Sequence, residues 1–157
     1  MDSGRRDALK AGGSVSLLTL LAAAGWLKPG EAGAQGAWNK AAFEAKSIPD
    51  AYKAFGGAPA QAKEIAFVAT PDIAENGAVV PIGVTSSLPK TEQIAILVEK
   101  NPNVLAASFD IPAGTEATVT TRVKMGQSSN VYALVKADGK YYVAQKEVKV
   151  TLGGCGG

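Results

Sequence analysis

From residue 63 onward, apolar side chains return at every second position, and this period limits what the chain can fold into more than any other property does. The clearest stretch is TEATVTTRVKM, residues 115–125. Ala117, Val119, Thr121, Val123 and Met125 fall on one side of it, and Glu116, Thr118, Thr120, Arg122 and Lys124 on the other. A period of two belongs to an extended strand, and its division into an apolar and a polar side marks a sheet with one face in a core and one in water. Six further runs read as strands: 63–69, 78–86, 92–99, 103–111, 129–137 and 140–151. Turn-forming pairs separate them, at Asn76-Gly77, Leu88-Pro89, Asn101-Pro102, Ala113-Gly114, Gly126-Gln127 and Asp138-Gly139. The last pair lies between two strand-like runs and predicts a tight hairpin, because Asp-Gly accepts the positive φ that such a turn requires.

Seven short strands at this spacing predict a mainly β protein, an immunoglobulin-like antiparallel β-sandwich. The cysteine–tryptophan–cysteine signature of antibody domains is missing, so the likeness is one of architecture. Residues 35–57 read differently. Trp38, Ala41, Ala42 and Ala45 recur at helical spacing, and Pro49 breaks the pattern. In SIPD, residues 47–50, Ser47 can cap a new helix, Pro49 suits a first turn and Asp50 completes a capping box. Gly56-Gly57 ends it. Two short N-terminal helices are therefore expected ahead of the strands.

Several strands are apolar on both sides. Ile65, Phe67 and Ala69 oppose Ala66 and Val68; IAILV, residues 94–98, is apolar throughout; Tyr132 and Leu134 oppose Val131, Ala133 and Val135. The N-terminal helices and a partner protein are both expected to cover part of these second faces.

Composition removes several functions. The 157 residues suffice for one domain with its own core, and the net charge of +2 is scattered rather than blocked. No basic patch or zinc-ligand pattern supports nucleic-acid binding. Histidine is absent, which takes away the commonest acid–base group and the commonest metal ligand. No metal, no cofactor and no catalytic residue is predicted.

Residues 1–34 read as an export signal rather than as fold. GRRDALK, residues 4–10, gives a basic start; a weakly apolar stretch comes next, diluted by Gly12, Gly13 and Gly25; Ala32 and Ala34 then place small side chains where a signal peptidase reads. Arg5-Arg6 with Leu9 and Lys10 resembles a twin-arginine signal, although Ala8 stands where that pattern prefers phenylalanine. Cleavage is expected after Ala34, with the mature protein in the periplasm. A membrane anchor fits less well, because the apolar run is shorter than the roughly 20 residues a span requires. The expected organisation is a signal peptide over 1–34, helices and sandwich over 35–152, and a flexible arm over 153–157.

That arm holds Cys155, the only cysteine, flanked by Gly153 and Gly154 on one side and Gly156 and Gly157 on the other. In an oxidising compartment a single thiol cannot form an internal disulfide, so it implies an intermolecular bond or a reactive group. EVKVTL, residues 147–152, is expected to bury Val148, Val150 and Leu152 and to expose Lys149 and Thr151, after which the chain leaves the sheet at Gly153. At about 3.3–3.6 Å per residue, the thiol reaches about 10 Å past that point. Glycine has no side chain to collide with a narrow pocket and visits both signs of φ. Ordering the arm costs on the order of 1–2 kcal/mol per residue, so each docking would be weak and reversible. Within its own chain the thiol has no base to activate it, and its pKa should stay near the free value of about 8.5. A nucleophilic enzyme would need an oriented base. Cys155 reads instead as a place where other proteins perform chemistry, with a thiol-linked structural subunit forming an interchain disulfide as the alternative. A prenylation box would need the cysteine one position earlier. Ubiquitin-like sulfur carriers, which also end in Gly-Gly, need ATP and a mixed α/β fold.

With these residues in view, the chain resembles the SoxY family, the sulfur-carrier subunits of the Sox thiosulfate-oxidising system. The resemblance rests on the twin-arginine start, on GAVVPIGVTSSLP (77–89), ILVEKNPNVLAASFDIPAG (96–114) and TRVKM (121–125), and above all on VKVTLGGCGG (148–157). It implies that Cys155 holds sulfur intermediates covalently and that Gly153, Gly154, Gly156 and Gly157 give the arm its clearance and mobility. It further implies a heterodimer with a SoxZ-like subunit and transient visits to three enzymes: a c-type haem protein that joins thiosulfate to the thiol, a metal-dependent hydrolase that releases sulfate, and a sulfane dehydrogenase that oxidises the remaining sulfur. Neither nucleic acid nor membrane is an implied partner.

Overall fold

The computed structural model describes residues 39–152; the predicted signal, the first residues after it and the arm over 153–157 lie outside the described residues. Two short helices lead the described chain, α1 (Lys40–Glu44) and α2 (Ile48–Phe55). Local chemistry sets their ends. Asn39 caps α1 by accepting the Ala42 N–H at 3.1 Å. Ser47 caps α2 by accepting the Asp50 N–H at 3.3 Å, Pro49 fills the first turn, and Gly56 closes the helix in the left-handed conformation at φ 112°. The expected capping box differs in one detail. The Ser47 hydroxyl donates to the Asp50 carboxylate at 2.6 Å, so the two side chains bond each other.

All seven predicted strands are present: β2 (Ile65–Val68), β4 (Val80–Ser86), β5 (Thr91–Val98), β6 (Leu105–Asp110), β7 (Thr118–Val123), β8 (Ser129–Ala137) and β9 (Lys140–Val150). Two more, β1 (Ala60–Gln61) and β3 (Ile73–Ala74), are too short to show a period. The strands form two sheets. The larger has the order β1-β9-β8-β5-β6, with β3 also on β9; the smaller has the order β2-β4-β7. The seven long strands thus divide four and three, which is the immunoglobulin-like division. Asp138 and Gly139 both take positive φ, 48° and 74°, and make the expected tight hairpin between Ala137 and Lys140.

The core has two parts because the larger sheet is apolar on both faces. Between the sheets, Ile94, Ile96 and Val98 of β5 and Val131, Ala133 and Val135 of β8 meet Val80, Ile82 and Val84 of β4. On the outer face, Ala95, Leu97, Leu134 and Val143 are sealed by Ala42, Ala51 and Phe55 of the helices. Asn39 Nδ2 donates to the Ala54 carbonyl at 2.9 Å and pins one helix to the other, while the Val104 N–H donates to the Ala45 carbonyl at 3.1 Å and pins them to the sheet. The helices therefore account for the second apolar faces of β5 and β8. They do not account for that of β2, where Ala66 and Val68 are exposed.

Candidate functional site

Cys155, Gly153, Gly154, Gly156 and Gly157 lie outside the described residues. What the structure describes is the root from which they continue, the end of β9. Parallel pairing builds that root. β1 covers one stretch of the β9 edge at Tyr142 and Val143; β3 covers another at Lys149 and Val150. An uncovered edge this long would leave backbone donors and acceptors available to other chains. The loop from Thr70 to Gly77 closes it near the exit.

The closure is made largely by backbone. The Lys149 N–H donates to the Asp72 carbonyl at 2.9 Å, and the Thr151 N–H to the Ala74 carbonyl at 3.0 Å. The Thr151 hydroxyl donates to the Glu75 carbonyl at 3.1 Å. The Gly77 N–H donates to the Leu152 carbonyl at 2.7 Å, and the Gly77 carbonyl accepts the Met125 N–H at 2.7 Å. Gly77 thus bridges the chain just past β9 to the chain just past β7, one in each sheet. From the other side, Ser128 Oγ accepts the Val150 N–H at 2.9 Å.

Two side chains hold the loop in place. The Thr70 hydroxyl is buried; it accepts the Gly83 N–H at 3.0 Å and donates to the Val68 carbonyl at 3.0 Å. Lys146 reaches from β9 to the Thr70 carbonyl at 2.6 Å and to the Asp72 carboxylate at 3.0 Å. Lys146 and Lys149 therefore stand on the strand, as the sequence implies. Asn76 shapes the turn into Gly77 by accepting the Ala78 N–H at 2.9 Å on its side chain.

The expectation for the last residues needs two corrections. Val148 is buried and Val150 half-buried, but Leu152 is 71% exposed. The pleat stops at Val150, so Leu152 no longer has a sheet to direct it inward. The chain also leaves the ladder there, before Gly153, although residues 151 and 152 stay hydrogen-bonded to residues 74–77. Ala74, Glu75 and Gly77 escape sequence reading because they act through carbonyls and an N–H, which every residue has, and Asp72 because its carboxylate meets a lysine 74 positions away. Only Asn76-Gly77 gave a signal, and it marked a turn without its partner. Among the described residues, no group of three or more His, Cys, Asp or Glu is placed to hold a metal ion, and no helix is long and apolar enough to cross a membrane. The root offers a rigid mount and no reactive group of its own.

The family model described as "Sulfur oxidation protein SoxY" matches residues 51–155. The structure is similar to that of the sulfur carrier protein SoxY from Chlorobium limicola f thiosulfatophilum, with 39% sequence identity and a TM-score of 0.56, over 62% of this chain and 89% of that one. A superoxide reductase (neelaredoxin) from Ignicoccus hospitalis aligns with 18% identity and a TM-score of 0.49, over 55% of this chain and 79% of that one, too distant to bear on function. No curated protein matches the sequence.

Proposed function

The chain belongs to the SoxY family, and from that premise we propose that it is a covalent sulfur carrier, loaded on Cys155 and without catalysis of its own. The observation that carries this is the contrast at the root. The chain is held by hydrogen bonds on both sides as far as Val150 and on one side as far as Leu152, and it then continues as Gly-Gly-Cys-Gly-Gly. A fixed mount that gives way to glycines presents a thiol to visitors, since glycine neither blocks a narrow cleft nor restricts φ.

The chemistry balances as a carrier cycle. The Cys155 thiol and thiosulfate join through a new S–S bond, giving the cysteine S-thiosulfonate, one proton and two electrons, which a c-type haem protein accepts. Water then cleaves the bond between the sulfane and sulfonate sulfurs on a metal-dependent hydrolase, leaving a cysteine persulfide and releasing sulfate and a proton. A sulfane dehydrogenase takes six electrons from the persulfide sulfur as three waters supply its oxygens and seven protons leave, giving a cysteine S-sulfonate. Hydrolysis of that product returns the thiol. Every redox equivalent is handled by a partner, which suits a carrier with neither histidine nor a second cysteine. The carrier works in the periplasm after twin-arginine export, paired with a SoxZ-like subunit.

Intact-mass measurement tests this. Incubation with thiosulfate and the haem partner should add the mass of one thiosulfonate, and Cys155→Ser should abolish the addition. Absence of any adduct on the wild-type protein under turnover would refute the proposal. If the thiol instead formed a stable interchain disulfide that tolerated Gly154→Val and Gly156→Val, Cys155 would be structural.

A further inference from the structure

One turn at the root carries chemistry that the carrier reading does not use. Asn76-Gly77 is the chain's only Asn-Gly pair. In such a pair the glycine nitrogen, with no side chain beside it, attacks the asparagine side-chain carbonyl once its proton has left. The other four asparagines precede Lys40, Pro102, Val104 and Val131, whose side chains crowd that approach. Asn76 is exposed and Gly77 is buried. The Asn76 side chain is held forward over the turn, its Oδ1 accepting the Ala78 N–H at 2.9 Å. The Gly77 N–H donates to the Leu152 carbonyl at 2.7 Å, so the proton that must leave is engaged in the root itself. The turn is reactive in sequence and blocked in place.

We propose that Asn76 is a deamidation site gated by the root: the reaction proceeds only while the Gly77–Leu152 hydrogen bond is open, and its isoaspartate product cannot remake the clamp. The step needs water and no partner, cofactor or oxidant. The Gly77 N–H loses its proton, the nitrogen bonds to Cγ of Asn76, and Nδ2 leaves as ammonia, closing a succinimide ring. Water then opens the ring on one side of the nitrogen or the other. Cleavage at Cγ leaves aspartate. Cleavage at the Asn76 backbone carbonyl leaves isoaspartate, with the chain now running through Cβ and Cγ. Overall an amide and water become a carboxylic acid and ammonia, and no electrons change hands. The isoaspartate route adds one methylene to the main chain just ahead of Gly77. Gly77 holds two hydrogen bonds of 2.7 Å, to Leu152 beyond β9 and to Met125 beyond β7, and both depend on where its backbone lies. The product also sets a new carboxylate beside Glu75. A root that opens often is marked, and a marked root stays open.

Amide exchange reads the same proton, which gives the test two independent readouts. The full chain, with whatever subunit copurifies, is held at mildly alkaline pH either folded or unfolded in urea. Aspartate and isoaspartate at position 76 are then quantified by peptide mapping, with Asn76→Gln as the blank. Deamidation should be at least tenfold slower in the folded protein than in the unfolded chain. Thr151→Val removes the hydroxyl bond to the Glu75 carbonyl. It should raise the folded rate about two- to tenfold, as loss of one such bond implies, and raise exchange of the Gly77 amide by the same factor. In the isolated isoaspartate form, the Met125 amide should exchange at least tenfold faster than in the unmodified protein. Folded and unfolded chains reacting at one rate would overturn the gate, as would Thr151→Val deamidating at the wild-type rate while its Gly77 amide exchanges faster. Unchanged protection of Met125 in the isoaspartate form would overturn the claim that the product cannot remake the clamp. None of these results bears on whether Cys155 carries sulfur.

Discussion

The outer face of the larger sheet has two ends, and they are built to opposite purposes. At one end, Leu97, Leu134 and Val143 are sealed under α1 and α2. At the other, Ile73 and Lys149 lie side by side on a parallel pair with Ile73 open to solvent. One strand, β9, runs through both, with Val143 under the helices and Leu152 just beyond its exposed end. The lesson is that burial and positioning are separate tasks here. The covered end stabilises the domain through area removed from water. The open end is stabilised by backbone hydrogen bonds, which fix geometry while leaving the side chains free to meet something else.

The contrast breaks most sharply under truncation. Leu97→Ala should cost about 2–5 kcal/mol, because it opens a cavity beneath the helices. Leu152→Ala should cost less than about 0.5 kcal/mol, because most of that side chain is already in water. Denaturant unfolding measures both, and equal losses would erase the distinction. Next comes the loop. Thr70→Val should leave the buried Gly83 N–H without its acceptor, at about 1–3 kcal/mol, and should speed amide exchange at Lys149 and Thr151, whose acceptors Asp72 and Ala74 belong to that loop. Exchange unchanged at both amides would mean that the root is held without the loop. A smaller effect belongs to Thr151→Val, which removes one hydroxyl bond to the Glu75 carbonyl, worth about 0.5–1.5 kcal/mol. Its signature should be faster exchange confined to residues beside the root.

The gentlest probe is alkaline pH. Tyr52 of α2 has its pKa pushed up to about 12, first by partial burial and then by Tyr132 and Glu99. A raised folded-state value means that the neutral phenol is the form the fold prefers. Its contribution is complete below the ordinary value of 10.0 and is lost as pH rises from there toward 12. Melting temperatures taken across that window should fall, and Tyr52→Phe should flatten part of the fall. An unchanged slope in the variant would place the alkaline sensitivity elsewhere.

Much of this architecture is legible in the chain itself, for reasons that are local. The alternation from Ala117 to Met125 becomes a half-buried edge strand and the residues beside it, with Val123 and Met125 deepest. Asp138-Gly139 makes its turn because the φ it needs is a property of two residues. Ser47 caps its helix for the same kind of reason. What stays hidden depends on distant partners. β1 and β3 hold two residues each, and only β9 makes them strands. Leu152 continues an apolar pattern but outlives the sheet that would have buried it. Thr70 looks like a loop residue until Gly83 is seen beside it. As for the site, Cys155 and its glycines are plain in the sequence, whereas the clamp behind them is made largely of main chain, and its few side-chain bonds join residues far apart in the sequence.

Backbone 15N relaxation across residues 146–157 probes the division between mount and arm most directly. Order parameters should stay at the level of the β body through Leu152 and drop in a single step at Gly153. Values that remain high to Gly157, in both the unmodified and the thiosulfate-loaded protein, would show an arm fixed to its own domain and would contradict the account.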